Sequence, residues 1–231
     1  MKRWIQSALA LAVVAVAVGF WLPYVRKERN GREVDINDPT LIKQGEYIAR
    51  LADCVACRTL LGAEPYAGGL AMPTPLGMIY STNITPDQET GIGNYTFEQF
   101  NNAVRHGIRA ENKALYPAMP YPSYQIMSED EMVAMYAYFM KGVKAVHLEN
   151  KPSELPPVLN WRFPLSYWQW FFSPKRKFVA EHSDKALSRG QYLVEGAGHC
   201  GSCHTERGIG FQEKALSNTS TDYLGGAVID G

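Results

Sequence analysis

The apolar positions fall into three patterns. Trp4 to Leu22 is a run of 19 uncharged residues, broken only by Gln6, Ser7 and Gly19. At 1.5 Å per residue it spans about 28 Å, enough to cross a bilayer core. Trp4, Trp21 and Tyr24 stand at its ends, where interfacial aromatics are favoured, and Arg26-Lys27-Glu28-Arg29 returns the chain to water. After this run the apolar residues take up helical spacing. Leu41 to Leu51 predicts one helix. Thr96 with Gln99 forms a capping box that opens a second, with Phe97, Phe100 and Val104 on one face. Ser128 with Glu131 opens a third, with Met132, Met135, Tyr136 and Phe139 together and Gly142 at its end. The last pattern is aromatic. Trp161 to Phe172 holds seven aromatic residues in twelve, after Pro152, Pro156 and Pro157.

These patterns divide the chain into a membrane segment over 1–32, a helical domain over 39–147, a proline- and aromatic-rich linker over 148–185 and an incomplete second domain over 186–231. For the first segment, a cleaved signal peptide with Ala15-Val16-Ala17 as its site competes with an uncleaved signal-anchor. Cleavage after Ala17 would leave Val-Gly-Phe-Trp-Leu-Pro-Tyr as an apolar terminus, which favours the anchor. Both flanks are basic, so charge does not set its orientation.

Composition adds one restriction. The 231 residues have zero formal net charge, but the first 32 carry six Lys/Arg and one acidic residue. The remainder therefore carries 17 basic and 22 acidic side chains, an acidic body with no basic stripe, which argues against nucleic-acid binding.

The chemistry lies in an internal repeat. Gln44-Gly45-Glu46-Tyr47-Ile48 before Cys54-Val55-Ala56-Cys57-Arg58-Thr59 matches Arg189-Gly190-Gln191-Tyr192-Leu193 before Cys200-Gly201-Ser202-Cys203-His204-Thr205. A weaker echo links Ala67-Gly68-Gly69-Leu70 to Leu224-Gly225-Gly226-Ala227. An offset of about 145 residues means domain duplication, because solenoid repeats are far shorter. Cys-x-x-Cys-His is the attachment motif of haem c: Cys200 and Cys203 tether the macrocycle and His204 supplies the proximal imidazole. Zinc would need a second ligand pair, and a thioredoxin-like pair would need βαβ surroundings.

Arg58 stands where the first motif needs histidine. A guanidinium stays protonated and has no lone pair for iron. The first site is then haem-free, with Cys54 and Cys57 as thiols or a disulfide, or it holds haem without a proximal ligand, or His106 serves instead. The expectation is an impaired first site. On its far side Tyr116-Pro117-Ala118-Met119-Pro120-Tyr121-Pro122 is stiffened by three prolines, which makes Met119 the preferred thioether ligand over Met72. Tyr80 to Asp87 reads equally well as a propionate-binding or a solvated loop. In the linker, interdomain packing competes with a docking surface or interfacial membrane contact.

The order Gly45-Glu46-Tyr47, Cys54-x-x-Cys57, Tyr66-Ala67-Gly68-Gly69, Tyr80-Ser81-Thr82-Asn83-Ile84-Thr85-Pro86-Asp87, Val104-Arg105-His106-Gly107 and Tyr116 to Tyr124 resembles the cytochrome c subunits of bacterial membrane-bound dehydrogenases of the gluconate and alcohol type. Gly198 to Thr205 with Arg207-Gly208 continues the match to the end of the chain. The resemblance implies an all-α fold of tandem class-I-like cytochrome c domains behind a transmembrane helix. It implies haem c and transfer of electrons from a flavin, quinoprotein or molybdenum dehydrogenase subunit to ubiquinone or an oxidase. It also implies the periplasmic face of the inner membrane, which orients the anchor. Such subunits carry three haems and are about twice this length, so the sequence reads as a truncated member. No methionine follows Met140 to face the second iron. The competing classes are a haem-poor docking or anchor subunit or a non-functional fragment of such a subunit, and a thiol-disulfide protein using Cys54 and Cys57.

Overall fold

The structure is a computed structural model, described over residues 2–29, 33–173 and 175–214. In chain order it comprises α1 (Lys2–Arg26), α2 (Pro39–Leu51), α3 (Cys54–Cys57), strands β1 (Ala71–Thr74) and β2 (Gly77–Tyr80), α4 (Phe97–His106), α5 (Tyr121–Tyr124) and α6 (Glu129–Ala137). A π-helical turn, Tyr138–Gly142, extends α6. Then come α7 (Pro157–Asn160), α8 (Phe163–Phe172), α9 (Lys185–Glu195) and α10 (Gly201–His204). The echo at 224–227 lies outside the described residues.

Side-chain caps fix the helix starts. Asp38 accepts from the Thr40 amide at 2.8 Å ahead of Pro39. Both predicted capping boxes are formed, at Thr96/Gln99 and Ser128/Glu131. Gly107, at φ +62°, ends α4 in the left-handed conformation that glycine adopts without strain.

The main core joins α2, α4 and α6 through Ile48, Phe100, Val104, Met132, Met135 and Phe139. The methionines at 132 and 135 are fully enclosed, as their helical spacing predicts. Gly45 sets how closely α2 approaches α6: a Cβ there would come within 1.9 Å of the Ala134 carbonyl oxygen. The Gly-x-Tyr motif therefore marks a helix crossing too tight for any side chain.

The all-helical expectation needs one correction. Ala71–Thr74 and Gly77–Tyr80 pair as an antiparallel hairpin with Ala71 opposite Tyr80 and Thr74 opposite Gly77. Gly77 turns at φ +131°, and a Cβ on it would strike the Glu154 carbonyl oxygen at 2.1 Å. Two prolines in Met72-Pro73-Thr74-Pro75 hid this strand from pattern reading, since proline is tolerated in strands only at edges. The hairpin forms a second small core in which Ile79, Ala114, Tyr116 and Leu165 meet Met72.

The segment after α1 is fastened to the domain. Arg26 donates to the carbonyls of Gln169 (2.8 Å) and Ser173 (2.7 Å), closing the C-terminal end of α8. The Glu28 amide donates to Asn102 Oδ1 at 2.7 Å, and Asn102 Nδ2 returns a bond to the Glu28 carbonyl. In the second repeat, Asp184 caps α9 and the Tyr192 hydroxyl donates to Glu131 while accepting from the Ser128 amide. The α6 capping box thus also holds α9.

Candidate haem sites

The first motif occupies α3, which the chain enters through Asp53 in a left-handed turn at φ +52°. The Arg58 carbonyl accepts from Gly68 N at 2.8 Å, and Gly68 lies so close to the backbone of Thr82 and Asn83 that no Cβ fits. Tyr66-Ala67-Gly68-Gly69 therefore seats the motif against the segment beginning at Tyr80. That segment is not a solvated loop. Asn83 donates to buried Thr90 Oγ1 and to the part-buried Val146 carbonyl, and accepts from Thr85 in the interior.

The motif opens on a cavity of about 360 Å³, walled by Tyr95, Phe100, Val104, Tyr124, Met135 and Phe139. Cys54, Cys57 and Met119 line it, together with Arg109, Lys151 and Arg162. Two thiols, apolar walls and cations for carboxylates fit a flat porphyrin with propionates. Arg58 does not fit. Its Nη1 donates to Thr82 Oγ1 at 2.7 Å and to the Thr82 carbonyl at 3.2 Å, and Nη2 lies 3.6 Å from Met119 Sδ. The guanidinium thus crosses the space between the motif and the candidate far-side ligand. Burial lowers its pKa, yet it offers iron no donor. His106 does not replace it: the ring is buried outside the cavity lining with Nε2 3.2 Å from Glu28 Oε1. Met72 also lines the cavity, although it packs on the hairpin core.

Burial pushes the Cys54 thiol up to about 12, against the lowering effect of Arg58. Burial also raises Cys57, helped by the Asp53 charge and by Cys203. Reactive redox cysteines need depressed values, so these thiols weigh against the thiol-disulfide reading.

The second motif lies on α10. Cys200 and Cys203 are free thiols, and His204 is exposed on the same turn. The loop behind it is anchored by Ser202 Oγ donating to Glu213 (2.8 Å) and by Trp168 Nε1 donating to the Gly210 carbonyl (2.6 Å). Tyr124 joins the two motifs. Its hydroxyl donates to the Ala52 carbonyl at 2.7 Å just before α3, and its ring meets His199 edge-on at 5.7 Å just before Cys200. Sequence reasoning did not single out Tyr124; its one signal was its place at the end of the Pro120-Tyr121-Pro122-Ser123-Tyr124 run.

A thiol pair on a short helical turn beside a porphyrin-sized apolar space, with a second pair ending in histidine, defines a c-type cytochrome. No family model matches the chain. It is 54% identical over 202 residues to the gluconate 2-dehydrogenase cytochrome c subunit of Pantoea cypripedii, an alignment covering 85% of this chain and 46% of that protein. It is 49% identical over 234 residues to the cytochrome c subunit of the quinone alcohol dehydrogenase of Gluconobacter oxydans, covering all of this chain and 47% of that one. It is 31% identical over 221 residues to a diheme cytochrome c-type protein of Cereibacter sphaeroides, covering 93% of this chain and 74% of that protein. The chain spans about half the length of the first two relatives. It belongs to the family of cytochromes c that includes the cytochrome c subunits of gluconate and alcohol dehydrogenases.

Proposed function

We propose that this chain is the haem c electron carrier of a membrane-bound dehydrogenase, passing electrons from a flavin, quinoprotein or molybdenum subunit toward ubiquinone or an oxidase at the periplasmic face of the inner membrane. The observation that carries this reading is the α10 turn, where Cys200, Cys203 and His204 present two thiols and an imidazole together. Haem c, when bound, supplies a one-electron ferric/ferrous couple. Cys200 and Cys203 tether it, and His204 lends a ring nitrogen to the iron. Tyr124 bridges the two motifs through Ala52 and His199. Cys54 and Cys57 offer a second pair of tethers and Met119 a thioether, but Arg58 withholds the proximal nitrogen. One haem per chain follows.

The repeat supports tandem class-I-like domains. Ile42, Gly45 and Ala49 of α2 correspond at the same offset to Leu187, Gly190 and Val194 of α9. In α2 this face meets α6 and the π-helical turn. In α9 Leu187 and Val194 are exposed, and apart from the neighbouring residues and the backbone of α9 no described atom lies within 4 Å of where a Gly190 Cβ would be.

A haem-poor docking or anchor subunit is the second reading, and Arg58 is what favours it. Intact mass and a pyridine haemochrome spectrum, after expression with a c-type haem maturation system, separate the two. One covalent haem lost on Cys200→Ala and retained on Cys54→Ala supports the carrier. No haem on the unaltered chain refutes it.

A further inference from the structure

Helix α8 carries a stripe that runs off the edge of the domain. Phe163, Tyr167, Trp170 and Phe171 stand at i, i+4, i+7 and i+8, so they share one face. The first two clasp α1: a Cβ on Gly19 would lie 3.0 Å from each of their rings. The Phe163 ring is 5.6 Å from that of Phe20, and the Tyr167 hydroxyl donates to the Ala15 carbonyl at 2.6 Å. The last two continue the stripe uncovered, with Trp170 51% and Phe171 69% exposed. On the other side of α8, Leu165, Ser166 and Gln169 are buried, and Gln169 Nε2 donates to the Gly107 carbonyl at 2.7 Å. The helix is therefore wedged between the apolar span and the folded domain.

We propose that α8 is a second membrane-contacting element, with Trp170 and Phe171 in contact with lipid beside α1. The proposal rests on reading α1 as a membrane span. Ala15 precedes Arg26 by about 16 Å of helix, well inside the apolar layer for a span that ends near Arg26. A side chain that hydrogen-bonds the Ala15 carbonyl is already at that depth. The uncovered half of the stripe extends the face that packs on α1, and α1 itself leaves Val13, Trp21 and Tyr24 62%, 60% and 48% exposed. It holds no charged residue, and tryptophan is a favoured residue at bilayer interfaces. Lipid is thus the occupant that the geometry supplies without a further partner.

The test uses the full chain reconstituted into phosphatidylethanolamine/phosphatidylglycerol vesicles, with a photoreactive benzophenone amino acid at position 171, 13 or 61. Position 13 reports on α1; Leu61, fully exposed in the first domain, reports background. Lipid adducts at 13 and 171 with none at 61 are expected. An adduct at 13 without one at 171 overturns the proposal and leaves the span intact. Absence at both removes the span and the proposal with it. Labelling at 61 as strong as at 171 also overturns it, as does capture at 171 of a protein partner in place of lipid in native membranes.

Discussion

Arg58→His restores the missing nitrogen and frees Met119, and its consequences have opposite signs with and without haem. In the haem-free chain Arg58 makes two bonds to Thr82, at 2.7 and 3.2 Å, and approaches Met119 Sδ at 3.6 Å. Charged hydrogen bonds contribute about 1.5–3 kcal/mol each when buried; for this half-buried side chain the loss is nearer ~2 kcal/mol in all. For a chain of this size that lowers the melting temperature by about 4–8 °C. With haem maturation active, the variant gains a second haem because the cavity then offers Cys54, Cys57, an imidazole at 58 and a thioether at 119. Intact mass and the haemochrome-to-protein ratio read this directly as a change from one haem to two. Two haems on the unaltered chain, or one on the variant, would refute the claim that Arg58 is what disables the first site.

Other substitutions probe the remaining contacts. His204→Ala leaves the second motif without its imidazole, as Arg58 does the first, and is expected to lose the covalent haem, read by intact mass. Gly45→Ala forces a methyl group into the Ala134 carbonyl and is expected to cost about 3 kcal/mol or more in denaturant unfolding. Gly190→Ala, with open space around it among the described residues, is expected to stabilise α9 by about 0.5–1 kcal/mol in the same assay. The Glu28 carboxyl is held down at about 2 by its bond to His106, against an ordinary value of 4.5. Its stability contribution is present above pH 4.5 and is lost as pH falls toward 2; Glu28→Gln flattens that acid limb in a pH series of melts. His106 adds a limb of the same sign nearer neutrality, because burial favours the uncharged ring and acid below its ordinary value of 6.5 therefore costs stability.

Helices α4 and α6 were legible because each carries a capping box and apolar residues at helical spacing, and α2 because of its apolar spacing. The motif spacing likewise placed the two thiol pairs and His204 without coordinates. The β-hairpin was not legible: its strands are four residues long, and Pro73 removes a donor from one of them. Proximity between the two motifs was hidden for another reason. It depends on Tyr124 touching both Ala52 and His199, contacts that span more than seventy residues in each direction. The Arg58–Met119 contact was only half visible, since the sequence showed an arginine out of place and a proline-held methionine but nothing that paired them. The linker packs on the Leu165–Gln169 side of α8, while Trp170 and Phe171 remain turned outward.

The exit from α1 is fixed twice within three residues, by Arg26 on α8 and by Glu28 on α4. With α1 in a bilayer, the domain does not swing on a string. A carrier on a loose leader samples every tilt and must lose that orientational freedom at each encounter, whereas here it is lost once, when the chain folds. The heights of Cys57 and Cys203 above the lipid are then constants of the fold. For the carrier role proposed above, meeting a redox partner becomes a planar search at a set height, in which lateral drift replaces tumbling as the rate-setting motion.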